Sequence, residues 1–333
     1  MDRRKFLKLL ATSSALAVST DITPAAARHN LQPLPDAVGF LYDSTLCIGC
    51  QSCVTRCQQV NNLQRNPIDP IHSRNIKLDE YTYNIIQVWT DGAGTNKDQL
   101  KDGFAFIKKQ CMHCVDPNCV SVCPVSSLQK DPVTGIVTTN PSTCTGCRYC
   151  MVACPYNIPK YEYNDPFGEL KKCSLCNQKG LERIDKGLLP GCAEVCPTGA
   201  VLFGRREDLL QEARRRVAAT PGEYYDFPVH KVGSERINRQ VLASYQHHIY
   251  GEREGGGTQV LVLSGVPYEK LDLPALADRA TGARTETVQH GLYKGMVLPL
   301  ALFSVLMFQT YRNENKEKKK QEHKQHHGGQ DNE

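Results

Sequence analysis

The chain has 333 residues, 40% of them hydrophobic, enough for one large domain or two modest ones. A mean hydropathy of −0.42, 19 prolines spread along the chain and no glycine period exclude a polytopic membrane protein, a simple coiled coil, collagen and a wholly disordered chain. The charge of +5 alone points towards nucleic acid or a membrane surface, but 16 cysteines, all between Cys47 and Cys196, alter that sum.

The N-terminus reads Asp2-Arg3-Arg4-Lys5-Phe6-Leu7-Lys8, then an apolar stretch from Leu9 to Val18, then Ala25-Ala26-Ala27. Twin arginines, a short hydrophobic region and an A-x-A site predict a twin-arginine export signal over residues 1–27, with the translocase as a partner. That route carries folded proteins already loaded with cofactor. It suits a chain that acquires oxygen-sensitive groups in the cytoplasm.

Four cysteine motifs follow. The first is Cys47-x2-Cys50-x2-Cys53-x3-Cys57, and the second Cys111-x2-Cys114-x4-Cys119-x3-Cys123-Pro124. The third is Cys144-x2-Cys147-x2-Cys150-x3-Cys154-Pro155, and the fourth Cys173-x2-Cys176-x15-Cys192-x3-Cys196-Pro197. This is the spacing of bacterial ferredoxins: three close cysteines wrap a cubane, and the fourth ligates a neighbouring cluster. The fourth cysteine is expected to begin a helix, with proline in its first turn. Gly49 and Gly146 are expected to bring the backbone close to the cluster.

Other cysteine chemistry fits less well. Eight disulfides do not suit cysteines three apart on one short loop. Zinc uses two CxxC knuckles and gives the third cysteine no role. Haem attachment needs CxxCH, which does not occur. Four [4Fe–4S] clusters on 16 thiolates bring the net charge to about −3, so the basic excess compensates anionic clusters rather than marking a nucleic-acid partner.

Exchange of fourth cysteines implies paired clusters in strand, loop, helix, strand units. Leu128-Gln129-Lys130-Asp131, a turn over Pro132–Gly135 and Ile136-Val137-Thr138 predict a hairpin, and Val201-Leu202-Phe203 a return strand. Spacing leaves two pairings open: motifs one and two with three and four, or two and three nested inside one and four. Arg56, Lys108, Lys109, Arg148, Lys171 and Lys172 flank the motifs and are candidates for raising cluster potentials or docking a partner. Tyr149, Tyr156, Tyr161 and Tyr163 read as packing. A strand-like segment at 258–264 suggests a docking extension over 206–290.

Gly295 to Tyr311 carries no charge, and with Leu292 as its start reaches 20 residues. It is expected to be a transmembrane helix over 291–311, although 17 residues span only about 25 Å. More cations follow it than precede it, so the tail is expected in the cytoplasm and the cysteines outside. The charged run 312–333 is expected to be disordered.

These motifs resemble the four-cluster ferredoxin family of electron-transfer beta subunits from membrane-bound molybdenum and nickel oxidoreductases. The resemblance rests on YDSTLCIGCQSCVTRCQ (42–58), IKKQCMHCVDPNCVSVCPVSSLQKDPVTGIV (107–137), CTGCRYCMVACPYNIPKY (144–161) and CSLCNQKG (173–180). YGEREGGGTQVLVLSGVPYEKLDLP (250–274) and LYKGMVLPLAL (292–302) resemble the iron–sulfur subunits of hydrogenase-2-type [NiFe] hydrogenases more specifically.

The resemblance implies an α+β fold of tandem two-cluster [4Fe–4S] ferredoxin-like modules in a nested pseudo-repeat, with a C-terminal transmembrane helix. The four-cluster domain would cover 28–205, with an inner module at about 101–164 and an outer one at about 40–100 plus 165–205. It also implies the ligand sets: Cys47, Cys50, Cys53 and Cys196; Cys173, Cys176, Cys192 and Cys57; Cys111, Cys114, Cys119 and Cys154; Cys144, Cys147, Cys150 and Cys123. The implied role is a non-catalytic relay on the periplasmic side of the inner membrane. Its partners would be hydrogenase small and large subunits and an integral membrane quinone-reactive subunit. The alternative is the same relay in a formate dehydrogenase or a polysulfide or nitrite reductase.

Overall fold

The computed structural model describes residues 28–63, 77–163, 165 and 168–327. The expected export signal (1–27) and the last tail residues (328–333) lie outside them. The chain divides into two compact units, one of residues His29–Ala283 and the other containing Arg284 onward.

In the first unit, strands alternate with cysteine loops and short helices. Strand β1 (Val38–Asp43) leads into the first motif, which runs into helix α1 (Ser52–Val60). Strands β2 (Asn84–Thr90), β3 (Asn96–Lys97) and β4 (Gly103–Gln110) form a sheet in the order β2-β4-β3. The second motif begins at the residue after β4 and contains α2 (Asn118–Ser121).

The predicted hairpin follows as β5 (Leu128–Lys130) and β6 (Val137–Thr139), antiparallel, with Leu128 opposite Thr139. The third motif holds α3 (Tyr149–Ala153) and leads to β7 (Lys160–Tyr161), which pairs with β8 (Leu170–Lys171). The fourth motif starts two residues later and contains α4 (Gly191–Glu194). The predicted return strand is β9 (Val201–Arg205).

These helices differ from the expectation in one respect. α2, α3 and α4 each carry the third cysteine and stop before the fourth. Proline disfavours helical geometry in the residue before it, so Pro124, Pro155 and Pro197 end a helix rather than opening one. The first motif has Gln58 where the others have proline, and α1 runs on through Cys57 to Val60.

The remaining elements of the unit are α5 (Arg206–Ala218), the hairpin β10 (Tyr224–Pro228) with β11 (Ile237–Val241), and β12 (Val260–Leu263). All four residues of β12 are buried. It pairs parallel with β1, while β9 pairs antiparallel on the other edge, giving the order β12-β1-β9. Burial on both faces explains why β1 and β12 read as apolar runs without alternation. The segment expected as a docking extension thus supplies an edge strand of the central sheet.

That sheet is locked to α5 by a buried ion pair. Arg216 Nη1 lies 2.9 Å from Asp43 Oδ2 and its Nε 2.9 Å from Glu212 Oε1, with both Arg216 and Asp43 fully buried. Tyr245 donates to Asp43 at 2.7 Å, and the guanidinium lies 4.9 Å from the centre of the Phe227 ring.

The second unit is dominated by α6, which spans Thr281–His327 with Pro299 inside it. Two expectations change here. Among the described residues no helix is long and apolar enough to cross a membrane, so the transmembrane helix expected over 291–311 is not supported. The uncharged run is short of a bilayer core of about 30 Å and is interrupted by Pro299, Gln309 and Thr310. The run expected to be disordered from 312 is helical as far as His327. Its Lys, Glu and Gln side chains are strong helix formers, and Glu314 and Lys318 have the favourable spacing for an i,i+4 pair.

Candidate metal centres

All sixteen cysteines are free thiols, which removes the disulfide reading. No three Cys, His, Asp or Glu side chains among the described residues close on one point as a single ion would need. The thiols gather instead in four quartets, each taking three cysteines from one motif and one from another.

Cys47, Cys50, Cys53 and Cys196 line a small cavity with Tyr42 and Ile86. Cys57, Cys173, Cys176 and Cys192 line a second small cavity with Phe40, Asn61 and Gln110. Asn61 ties this second set together. Its Nδ2 is 3.5 Å from Cys57 Sγ and 3.8 Å from Cys176 Sγ, and Gln178 orients it by donating to its Oδ1 at 2.7 Å.

The other quartets are read from their mutual electrostatics. Burial pushes Cys114 well above the usual thiol value, and Cys119, Cys111 and Cys154 push it further. Burial raises Cys150 to about 11, helped by Cys147, Cys144 and Cys123. Neighbouring quartets also meet in order. Cys53 feels Cys192, Cys173 feels Cys111, and Cys119 feels Cys150. Cys111 and Cys173 share one small apolar cluster, and Cys150 shares another with Cys119 and Cys123. The four sets therefore form a row. Cys50 and Cys147, in its end sets, are exposed.

The loops share a backbone device. The residue before the second cysteine has a positive φ in every motif: Gly49 at 70°, His113 at 45°, Gly146 at 68° and Leu175 at 51°. The left-handed turn reverses the chain so that the flanking cysteines can face one centre. It also aims amides at sulfur, as where Leu175 N–H reaches Cys173 Sγ at 3.4 Å. Ser127 N–H meets Cys123 Sγ at 3.2 Å. At Gly146 an added Cβ meets no protein atom within 4 Å. At Gly49 the same atom would lie 2.4 Å from the Phe106 ring.

The thiols fit an iron–sulfur group. Desolvation and crowding raise Cys119 and Cys173 to about 12 and Cys192 to about 11, a penalty on bare thiolates that a cationic iron core offsets. At Cys144 burial also works upward. Hydrogen bonds from the Tyr161 hydroxyl, at 3.4 Å, and from the Gly146 amide outweigh it and hold the thiol below its usual value.

The flanking cations separate into two groups. Arg56 pairs with Glu194 at 3.0 Å, Lys171 with Glu169 at 2.7 Å, and Lys109 with Asp272. Arg148 lies over Tyr163, 4.9 Å from the ring centre. Lys108 and Lys172 are buried and have no carboxylate partner among the described residues. Lys172 instead donates to the carbonyls of Val137 and Cys173.

Sequence reasoning missed Lys130, whose amine donates to Cys114 O at 2.8 Å and is lowered to about 8 by burial. It also missed His113. The Nδ1 of His113 accepts the Val137 amide at 3.0 Å, leaving a buried Nε2 without a partner. Its place between Cys111 and Cys114 was the available signal. Of the four tyrosines, Tyr161 contacts a cysteine directly, while Tyr149 and Tyr163 are exposed.

Residues 103–206 match a family model described as a 4Fe-4S dicluster domain. The chain is similar along its length to the hydrogenase-2 operon protein HybA of Escherichia coli O157:H7, at 58% identity over 334 residues and 100% of both chains. A protein of Nitratidesulfovibrio vulgaris is 40% identical over 80% of this chain and 65% of its own. The formate dehydrogenase-O iron-sulfur subunit of Escherichia coli K12 is 33% identical over 62% of this chain and 68% of its own. The full-length identity, on a chain that folds its cysteines into four quartets, shows that it belongs to the HybA family of hydrogenase-2 operon proteins.

Proposed function

We propose that this chain is the iron–sulfur electron-transfer subunit of a hydrogenase-2-type complex. It holds four [4Fe–4S] clusters on its sixteen cysteines and relays electrons between a periplasmic [NiFe] hydrogenase and a membrane quinone-reactive subunit. The observation that carries this reading is the row of four thiol quartets with an exposed cysteine at each end.

The clusters, when bound, supply one-electron carriers whose charge is delocalised over several irons. The chain itself makes and breaks no substrate bond. Hydrogen is split on the hydrogenase large subunit into two protons and two electrons, and quinone takes up two electrons and two protons at the far end. The work of this chain is to hold the carriers close and dry. Its cysteines anchor iron, and its left-handed loop residues turn the thiols inward. Asn61 and backbone amides donate to cysteine sulfur, which stabilises the reduced form. The inner quartets hold no exposed cysteine, whereas Cys50 and Cys147 at the ends are exposed, so electrons enter and leave at the ends.

The export signal supports residence on the periplasmic side of the inner membrane after passage through the twin-arginine translocase. Fractionation that finds the mature protein in the cytoplasm sinks this part.

The test of the main reading is a metal count on the gently solubilised complex, isolated anaerobically through this subunit. Nickel is expected, together with at least about sixteen iron atoms per copy of this chain, since the [NiFe] partner adds iron of its own. Molybdenum or tungsten in place of nickel moves the same relay to a formate dehydrogenase type of complex, towards which the 33% relative points.

A further inference from the structure

Lys108 lies in β4 opposite Ile86 of β2, so the two side chains share one face of the sheet. Ile86 lines the first cavity, with Cys47, Cys50, Cys53 and Cys196. The amine of Lys108 reaches towards the second. It donates to Gln110 Oε1 and sits 5.8 Å from the centre of the Phe40 ring. Both Gln110 and Phe40 line the cavity of Cys57, Cys173, Cys176 and Cys192. The side chain is 5% exposed, and no carboxylate among the described residues lies within ion-pair distance of it.

A buried ammonium with a single amide acceptor is unfavourable unless anionic charge faces it. Here that charge comes from both sides. Burial lowers the amine, but Cys192, Cys53, Cys173 and Cys57 together overcome this and raise it above its usual value. One of these thiols belongs to the first quartet and three to the second. The third quartet has cations of its own, since Lys172 lowers Cys119 and Lys130 lowers Cys114, whereas Cys150 of the fourth is flanked by other cysteines and Arg148 near it lies over Tyr163.

We propose that Lys108 is a positioning residue, a fixed counter-cation shared by the first and second clusters, which makes both easier to reduce than the protein environment otherwise would. Reduction adds one negative charge to a cluster. A fixed cation between two clusters stabilises that charge on either of them, and its effect fades across the row to the others.

The inference rests on the cluster-binding reading, and iron content measured on each sample keeps the two apart. The experiment is a reductive titration of the intact complex, followed by EPR and Mössbauer spectroscopy, for Lys108→Met and Lys108→Arg. In Lys108→Met two of the four one-electron steps that belong to the clusters of this chain are expected to become at least tenfold less favourable, which is 59 mV each, with the other two unmoved. Lys108→Arg keeps the charge and is expected to hold all four steps within that margin. Iron-loaded Lys108→Met with no displaced step, or with a single one, overturns the proposal. If Lys108→Met does not load, Lys108→Arg decides: loaded with two displaced steps it overturns the shared-charge role, and loaded with none it supports it. A wild-type complex in which this subunit carries no iron defeats the cluster reading instead.

Discussion

Gly49 and Gly146 occupy equivalent places in their loops, yet a methyl group there has different consequences. Both sit at positive φ, where any L-residue costs about 1–2 kcal/mol. Gly146→Ala should lose about that much, because the new Cβ meets no protein atom. Gly49→Ala also drives a methyl group into the Phe106 ring and should lose about a further 1–3 kcal/mol. Urea unfolding with an iron assay on both variants checks the difference. Equal losses would show that the ring moves aside freely. The sequence marked these two loops by their glycines. It hid the same turn at His113 and Leu175, where ordinary residues are held left-handed by their surroundings. Leu175 is 1% exposed, and its buried side chain offsets what its backbone costs. The flanking lysines were legible as a group. Which of them are buried depends on the pairing of β4 and on carboxylates distant in sequence, and no spacing reports that.

Among the elements, the β5–β6 hairpin was legible because its turn residues act locally. Asp131 accepts the Val133 amide at 3.0 Å and the Thr134 amide and hydroxyl at 2.6 and 2.8 Å. Slight burial tends to raise its carboxyl, but these hydrogen bonds prevail and hold it below the usual range. Its stabilising contribution is therefore complete above the ordinary carboxylate value of about 3.9, and is lost as pH falls through the depressed value. Asp131→Asn should flatten the acid limb of the stability profile by lowering stability at neutral pH, while stability below the depressed value stays nearly unchanged, as thermal unfolding across a pH series will show. The contact of α5 with β1 was not legible, because Arg216 and Asp43 are 173 residues apart. Arg216→Met leaves the buried Asp43 without a cation, while Glu212 keeps Arg215 at 2.9 Å, and should cost about 3–5 kcal/mol in denaturant unfolding. A loss under 1 kcal/mol would mean that water reaches Asp43. The short helices were misread at their proline ends for a physical reason: a proline after cysteine is compatible with a helix start and with a helix stop, and the choice depends on where the third cysteine must point.

At the scale of the whole molecule, the nested quartets make residues far apart in sequence answer for one another. Replacing Cys57 by serine should disturb the cluster held with Cys173, Cys176 and Cys192. The cluster on Cys47, Cys50 and Cys53, though nearest in sequence, should survive. EPR of the reduced protein distinguishes the two, and damage confined to the first cluster would defeat the exchange of fourth ligands. Spacing announced the motifs but left their pairing open, since three-plus-one sharing is possible in more than one arrangement. The role of β12 was equally hidden: an apolar run of four residues states that it is buried, not beside which strand.

The nesting also sets a clock on synthesis. The eight thiols from Cys111 to Cys154 can meet as soon as that short stretch is made. The four from Cys47 to Cys57 must wait for Cys196, and for β12 at Val260–Leu263 to cover β1. At ribosomal rates of about 5–20 residues per second they stand open for on the order of ten seconds. The N-terminal residues emerge before all of them. A chain handed to the export machinery on the strength of its first residues alone would leave with half its ligands unpaired. On the proposed export route, departure has to be timed by the closing of the sheet, so the last strand to arrive is the natural point at which a cell can judge the protein finished.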